Sequence, residues 1–417
     1  MRVSSVAIVF ALLAASASGQ SLTMGNSVAN PNSSDQAVAT TRTAVDLTHP
    51  ANASGNLTHV TFPWSAYPCN AAAKIKVFRR VGDTFTLVAE RGPYNSSSVG
   101  IDVDLSGSPI AVRQGDLIGV ARVADCGNAE AYVPMGIVLH TSYIEVAGDA
   151  TSFTYADSAV HNAQLAVLAT GTATEVVAGV ITSVASNPGR GGSYFRTLLQ
   201  MLSYPYSTPV TGRFVFHPKL VPGSPSDPSL AFTTTASTVQ SWSDILAAMG
   251  ATGQPGSLDI ILPWTKVLPM IGAQVYNDQG ANGTNGFREE PVATANPETA
   301  MGTNVFFPGS TGFLFGPADA ARYRSNIAVR SLEQGVQFTL QAFHSNGTAA
   351  GSAMQYRYTP NVWDQKTWQE FTGAVLEDGD YVRISVNDGT AIFDGSIVDN
   401  ITNDPADVLA RVAFAIL

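Results

Sequence analysis

Apolar and polar residues alternate along most of this chain, and a period of two marks strands with one face on a core and the other in water. Ile101, Val103 and Leu105 alternate with Asp102 and Asp104. Ile75 and Val77 alternate with Lys74 and Lys76, and Phe85 and Leu87 with Thr84 and Thr86. Far downstream Phe338, Leu340 and Ala342 alternate with Gln337, Thr339 and Gln341, and Val382, Ile384 and Val386 with Tyr381, Arg383 and Ser385. Turn formers punctuate the runs at Val81-Gly82-Asp83, Gln114-Gly115-Asp116, Ser345-Asn346-Gly347 and Asp378-Gly379-Asp380.

Helical signals are few. Ser241 to Met249 reads as two turns closed by Gly250, and Gly316 to Ala321 as one more. Asp404-Pro405-Ala406-Asp407 offers an N-cap acid, a proline at the first helical position and an acidic first turn, which predicts a short helix reaching Leu409. Many short strands with so little helix predict an all-β chain, built as three tandem β-sandwiches of Ig-like or jelly-roll-like form.

The last two sandwiches are expected to be an internal duplication. Tyr194-Phe195-Arg196-Thr197 matches Arg322-Tyr323-Arg324-Ser325, and Val215-Phe216-His217 matches Ala342-Phe343-His344. Gln240-Ser241-Trp242 matches Lys366-Thr367-Trp368, the run from Gly256 to Ile260 matches that from Gly379 to Arg383, and Asn277-Asp278 matches Asp399-Asn400. The offset falls from 128 to 122 along the series, as small loop deletions after a duplication would leave it. The expected organisation is a signal peptide at 1–19, a first sandwich with one disulfide at 22–150, and repeats at 160–280 and 298–417. The first sandwich has strands expected near 38–47, 57–64, 74–80, 84–90, 99–105, 117–123 and 132–146. Its boundary is expected in Gly148-Asp149-Ala150-Thr151-Ser152, and Asn277 to Pro297 reads as a surface loop.

The N-terminal segment carries Arg2, an apolar run from Val6 to Ala15 and then small residues, the pattern of a cleaved secretory leader too short to span a bilayer. No later run is long enough to cross one, so the expected location is extracellular or at the cell surface. In that oxidising setting the two cysteines, Cys69 and Cys126, are expected to form a structural disulfide, worth about 4 kcal/mol in the chain-entropy model. The short leader and the composition look bacterial but do not settle the kingdom, and triplets such as Asn52-Ala53-Ser54 are glycan acceptors only in a eukaryotic host. With 22 Lys+Arg against 32 Asp+Glu and only five lysines, none in a run, the chain lacks the basic patch a nucleic-acid partner needs.

The string from Gly191 to Pro218, followed by those from Arg322 to Thr348 and from Tyr381 to Pro405, resembles a paired β-sandwich module that recurs in secreted bacterial proteins of unassigned function. Arg324-Ser325-Asn326 and Asp399-Asn400 fit the module's start and its closing turn; Leu198 stands in the first copy where a polar residue is expected. The resemblance covers 176–417 and implies architecture, with no activity attached.

Chemistry-bearing motifs are missing: no G-x-S-x-G elbow, HExxH, Walker loop or dinucleotide fingerprint occurs. No catalytic residue, cofactor or metal ligand is expected. His217 and His344, equivalent in the two repeats, read as framework residues; Arg196 and Arg324 read as stacking groups or loop-carbonyl donors, and Trp242 and Trp368 as sandwich packing. The amide and acid clusters Asn277–Gly280 and Asp399–Asp404 read as turns and caps, although calcium would need such oxygens. Trp64 and Tyr67, beside Cys69, and Trp363, in the run Pro360 to Asp364, are candidate contacts for a sugar ring. The expected function is a non-enzymatic extracellular structural or interaction module, with an envelope protein or extracellular glycan as partner. The alternatives are a carbohydrate-binding or adhesin protein, and a hydrolase with an unrecognised site. The last would need carboxylates such as Asp102 and Asp104 to converge in a cleft, whereas they share one strand face. The far-ultraviolet circular dichroism of the purified chain is expected to be dominated by strand; a spectrum dominated by helix would overturn the fold class.

Overall fold

The structure is a computed structural model that describes residues 22–27, 33–34, 41–65, 69–97, 100–123, 128–132, 143–189, 192–203, 209–224, 226–263, 266, 268–280, 283–294 and 304–413. The leader, Tyr67, Cys126 and His140 lie outside the described residues. The chain is all-β: antiparallel strands fill it, and the two α-helices among the described residues, Ile245–Ala248 and Trp368–Thr372, hold four and five residues. No helix among the described residues is long and apolar enough to cross a membrane.

In the first unit a seven-stranded sheet runs in the order Ser152–Thr154, Thr84–Ser96, Cys69–Val81, Leu117–Arg122, Arg42–Asp46, Tyr143–Ala147, Ala159–His161. It faces Ser54–Phe62, which is flanked by Ile101–Asp104 and Ile110–Val112. Leu57, Val60, Ile101 and Val103 from one side meet Ile75, Val77 and Ile118 from the other in one apolar core. Asp102 and Asp104 point to solvent, as the alternation requires. Lys76 does not follow its parity: it is fully buried, with its ammonium 2.6 Å from Asp149 and 3.3 Å from Glu90, and it donates to Ala150 O.

One 19-residue strand, Val167–Ala185, belongs to two units at once. Its residues 168–175 pair with Ser54–Thr61, and its residues 175–185 pair with Pro255–Pro263. A single nine-stranded sheet therefore runs from the first unit into the second. At roughly 3.3 Å per residue the strand is about 60 Å long, several times an ordinary strand. Register shifts at Thr170/Gly171 and Ile181/Val184 let it bend between its partners. The opposite sheet of the second unit is Asn187-Pro188, Tyr194–Leu202, Met270–Asp278 and Thr284–Glu289, with Val239–Trp242 beside Tyr194–Leu202. Ile181, Phe214, Phe216, Leu258 and Ile260 pack against Leu199 and Ala273 between the two layers.

The third unit is one eight-stranded sheet built on two long strands, Tyr323–Phe343 and Tyr381–Asp399, paired from Tyr323 opposite Asp399 to Phe343 opposite Tyr381. A register shift interrupts them between Ser331 and Val336, where a Cβ on Gly389 would stand 2.1 Å from Gly335 O. The two halves acquire different edges. Trp363–Thr367 and Pro405–Leu409 join one half, and Met354–Tyr358 and Thr311–Phe315 join the other. Ile327 and Phe393 from one half share a core with Phe338 and Val382 from the other, so the sheet closes over itself.

Several local expectations are corrected. Residues 316–321 form bends and turns with no helical turn. The stretch from Asn277 to Pro297, expected as a surface loop, contains the strand Thr284–Glu289, paired with residues 273–278. Pro405–Leu409 is a strand paired with Asp394–Val398, because an unpaired sheet edge outweighs a weak helical cap and a proline is tolerated at a strand's first residue. The Trp368–Thr372 helix, unforeseen, is set by a capping box between Thr367 and Glu370 and ends on Gly373 at φ 70°. The helix expected over Ser241–Met249 covers only Ile245–Ala248, because Val239–Trp242 is a strand; Asp244 caps it, accepting from Ala247 N–H. In the shared strand, a Cβ on Gly171 would lie 2.0 Å from Asn56 O and 2.7 Å from Leu57 Cα, both backbone atoms. Gly171→Val is expected to destabilise the chain by about 1–3 kcal/mol. Urea denaturation should report that loss in probes of both the first and second units.

Candidate functional site

The candidate sugar contacts do not sit where stacking needs them. Trp64 is 4% exposed, in edge-to-face contact with Phe62 inside the first core. Trp363 is 1% exposed and opens a strand opposite Arg330: the turn ends at Val362, and Trp363 and Asp364 belong to the sheet. Its carbonyl accepts Leu220 N–H of the second unit at 2.8 Å, which pins it to the seam between units. Cys69 starts its strand, with its N–H bonded to Ser96 Oγ at 3.0 Å; its expected partner lies outside the described residues. Arg196 bonds Asp278 and Asp244, while Arg324 bonds Asp399 O and the amide oxygens of Asn400 and Asn403. The acid clusters act as turns: Asp278 accepts Gly280 N–H, and Asp399 accepts Ile401 and Thr402 N–H. His344 Nδ1 lies 3.2 Å from Asp380 and 3.4 Å from Glu377, and Asp380 also accepts Glu377 N–H, so local hydrogen bonds account for the trio.

The densest polar chemistry lies instead between units. Register pairing brings His217 and Asp259 to neighbouring strands of the second unit, and Arg330 reaches them from the bulged strand of the third. Arg330 Nη2 donates to both Asp259 oxygens at 2.9 and 3.0 Å, and its Nη1 bonds Ser331 O and, at 3.1 Å, Asn361 Oδ1. His217 Nε2 meets Asp259 at 2.9 Å and its Nδ1 meets Asp227 at 2.8 Å. Arg330, Asp259 and His217 are 1%, 4% and 5% exposed.

Burial by itself would raise the Asp259 pKa, but the Arg330 charge and His217 reverse this and hold it at about 2. Burial would lower His217; the Asp259 charge and the bonds to Asp227 and Asp259 outweigh that and raise it. A ring with a carboxylate on each nitrogen is held as imidazolium and has no free base nitrogen, so His217 cannot activate a nucleophile. The cluster instead neutralises itself across the seam. Nearby, Gln114 of the first unit donates to Glu333 of the third at 2.9 Å and accepts Val177 N–H of the shared strand at 2.7 Å. Gln334 donates to Thr48 O at 2.6 Å. All three units meet there, around a charged cleft of about 440 Å³. Its arginines Arg79 and Arg213 are held bidentately by Asp116 and Glu175.

A second cluster joins the second and third units through acids. Thr182 Oγ1 lies 2.6 Å from Glu289 Oε1 and 2.6 Å from Asp394 Oδ2. A hydroxyl has one proton to give, so at least one of the two carboxyls must carry a proton and donate back. Ser183 N–H adds to Glu289 and Ser183 Oγ to Asp394. Burial, then the charges of Asp394 and Asp407, push Glu289 well above its ordinary pKa, against the bonds from Thr182 and Ser183. Burial likewise raises Asp394. Burial and the Asp394 charge lift Asp407 to about 7, with Val408 N–H and Arg411 opposing.

None of Arg330, Asp259, Glu289 and Asp394 was singled out from the sequence. The available signal was a charged residue breaking an apolar run, as in Leu258-Asp259-Ile260 and Phe393-Asp394. Comparison of the chain with protein-family models, curated proteins and solved structures returns no match.

Two outcomes follow. Arg330→Met leaves buried Asp259 with His217 as its one cationic partner and upsets the neutrality of the cluster, and is expected to cost about 3–5 kcal/mol in chemical denaturation. For the acid cluster, the folded pKa values lie above the unfolded ones, so the folded state binds more protons and stability falls as pH rises from about 4 through about 7. His217, also raised, has the same sign above its unfolded value, whereas Asp259 removes stability only as pH falls toward 2. The melting temperature is therefore expected to rise from pH 8 to pH 5, and Glu289→Gln should flatten that slope.

Proposed function

We propose that the chain is a secreted, non-enzymatic β-sandwich protein that works as an extracellular structural or interaction module, its second and third units copies of one duplicated sandwich. The observation that carries this reading is the buried Asp259–Arg330 pair bridging the second and third units, beside a strand that the first and second units share. Polar investment goes into fixing three units against one another rather than into an open reactive centre.

The duplication draws support from equivalent pairings. Tyr194–Leu202 lies between Val239–Trp242 and Met270–Asp278, and the first half of Tyr323–Phe343 lies between Trp363–Thr367 and the second half of Tyr381–Asp399. Thr211–Pro218 pairs with Ser229–Thr233 and Pro255–Pro263, as 336–343 pairs with Met354–Tyr358 and 381–389. A short helix follows Val239–Trp242 in one unit and Trp363–Thr367 in the other. Capping residues Asp244 and Thr367 differ by 123, which aligns Trp368 with Ile245 rather than Trp242.

The non-enzymatic reading is supported by the double engagement of His217. The mature chain, screened with ester, glycoside and peptide substrates, is expected to give no turnover above buffer and to be retained saturably by envelope fractions. Turnover that follows the protein through purification would overturn the reading.

A further inference from the structure

Between the second and third units, with no lining residue in common with the charged cleft, lies an open cleft of about 290 Å³. Its walls combine two half-exposed phenyl rings, Phe195 and Phe287, with three amide side chains, Asn187, Asn326 and Gln365. Phe195 is seated over Gly189, where a Cβ would fall 2.5 Å from the ring, so its position is fixed by backbone.

The lining contains no Asp, Glu, Lys or His, and its single charged group, Arg324, is anchored to Asp399 O, Asn400 and Asn403. Hydrogen-bonding capacity is left over. The Gln365 side chain bonds no described residue, and Asn326 uses one N–H on Ser396 Oγ at 3.1 Å. Asn187 Oδ1 and Trp363 Nε1 are buried without a partner, a cost of roughly 1–3 kcal/mol each where no water or ligand supplies one.

We infer that this cleft binds a single neutral sugar ring. A pyranose has an apolar C–H face that a phenyl ring covers and hydroxyls that amides both donate to and accept from. The volume is at the lower limit of small-molecule pockets, room for one ring and not for an oligosaccharide. The absence of acids and lysines selects against phosphate esters, nucleotides and metal ions, which need opposite charge. We assign the primary contacts to Phe195, Phe287, Gln365 and Asn326, which solvent reaches. Trp363 Nε1 and Asn187 Oδ1 are sealed from solvent, and a ligand hydroxyl reaches them only as the walls part. The same chemistry is offered by a free monosaccharide or by the terminal residue of a glycan.

The test is saturation-transfer difference NMR on the mature chain with glucose, galactose, mannose and N-acetylglucosamine, and with a methyl glycoside and a β-linked disaccharide of the best of them. Ring C–H enhancements from at least one sugar are expected. Phe287→Ala and Gln365→Ala, each checked by an unchanged melting profile, should weaken the titrated affinity about tenfold or more, the equivalent of one lost contact. Equal affinity for the methyl glycoside and the disaccharide identifies a chain end as the natural ligand; binding of the free sugar alone identifies a monosaccharide. No enhancement with any of the four sugars, or enhancement unchanged in both folded variants, would overturn the inference. Neither result bears on the scaffold reading, which envelope retention and turnover decide.

Discussion

The whole assembly turns on a desolvated ion pair. Arg330 and Asp259 come from different units, each almost wholly buried, and each is tolerable only because the other is present. An isolated charge at either position would be prohibitive, so the units are committed to one relative placement. Apolar burial alone would have left that placement open, because a hydrophobic face accepts many partners at many angles. Nη2 reaches both oxygens of Asp259 while Nη1 holds Ser331 O and Asn361, which fixes direction as well as distance, and His217 with Asp227 completes the neutrality of the group.

The shared strand and the acid cluster act around that pair in different ways. Val167–Ala185 couples the first and second units through main-chain bonds, which no solution condition titrates. Glu289, Asp394 and Thr182 couple the second and third through a hydrogen-bond pattern that requires a proton. One seam is thus insensitive to pH and the other responsive to it. The ligand cleft adjoins the responsive seam, since its lining includes Ser183, next to Thr182, and Ser396, on the strand that carries Asp394.

Much of the fold was legible. Alternation at Ile101–Leu105, Phe338–Ala342 and Val382–Val386 gave strands with the expected faces inward. The matches around Arg196 and Arg324, and around Asn277 and Asp399, fall at corresponding ends of paired strands. Where the reading failed, tertiary pairing had overruled a local preference. Asp404-Pro405 carried a helix-start signal, yet the neighbouring strand offered five residues of pairing. Trp363 sat among Pro, Asn and Asp and so read as loop, yet Arg330 stands opposite it and the second unit caps it. Lys76 alternated like a surface residue and is buried, because Asp149 and Glu90 reach it from separate strands and turns.

By itself the sequence determined the class of fold, the positions of most strands and turns, and the sign of the charge, because these follow from local periodicity and composition. It did not determine which strand would serve two sheets, nor that His217, Asp259 and Arg330 would meet, nor that Thr182 would stand between two acids. Those are contacts across up to 212 residues of chain, as between Thr182 and Asp394. They are decided by which sheet edges find each other and by the need to pair every charge that burial removes from water. The candidate ligand cleft belongs to the same class, a space that exists only where the surfaces of two units meet without closing completely.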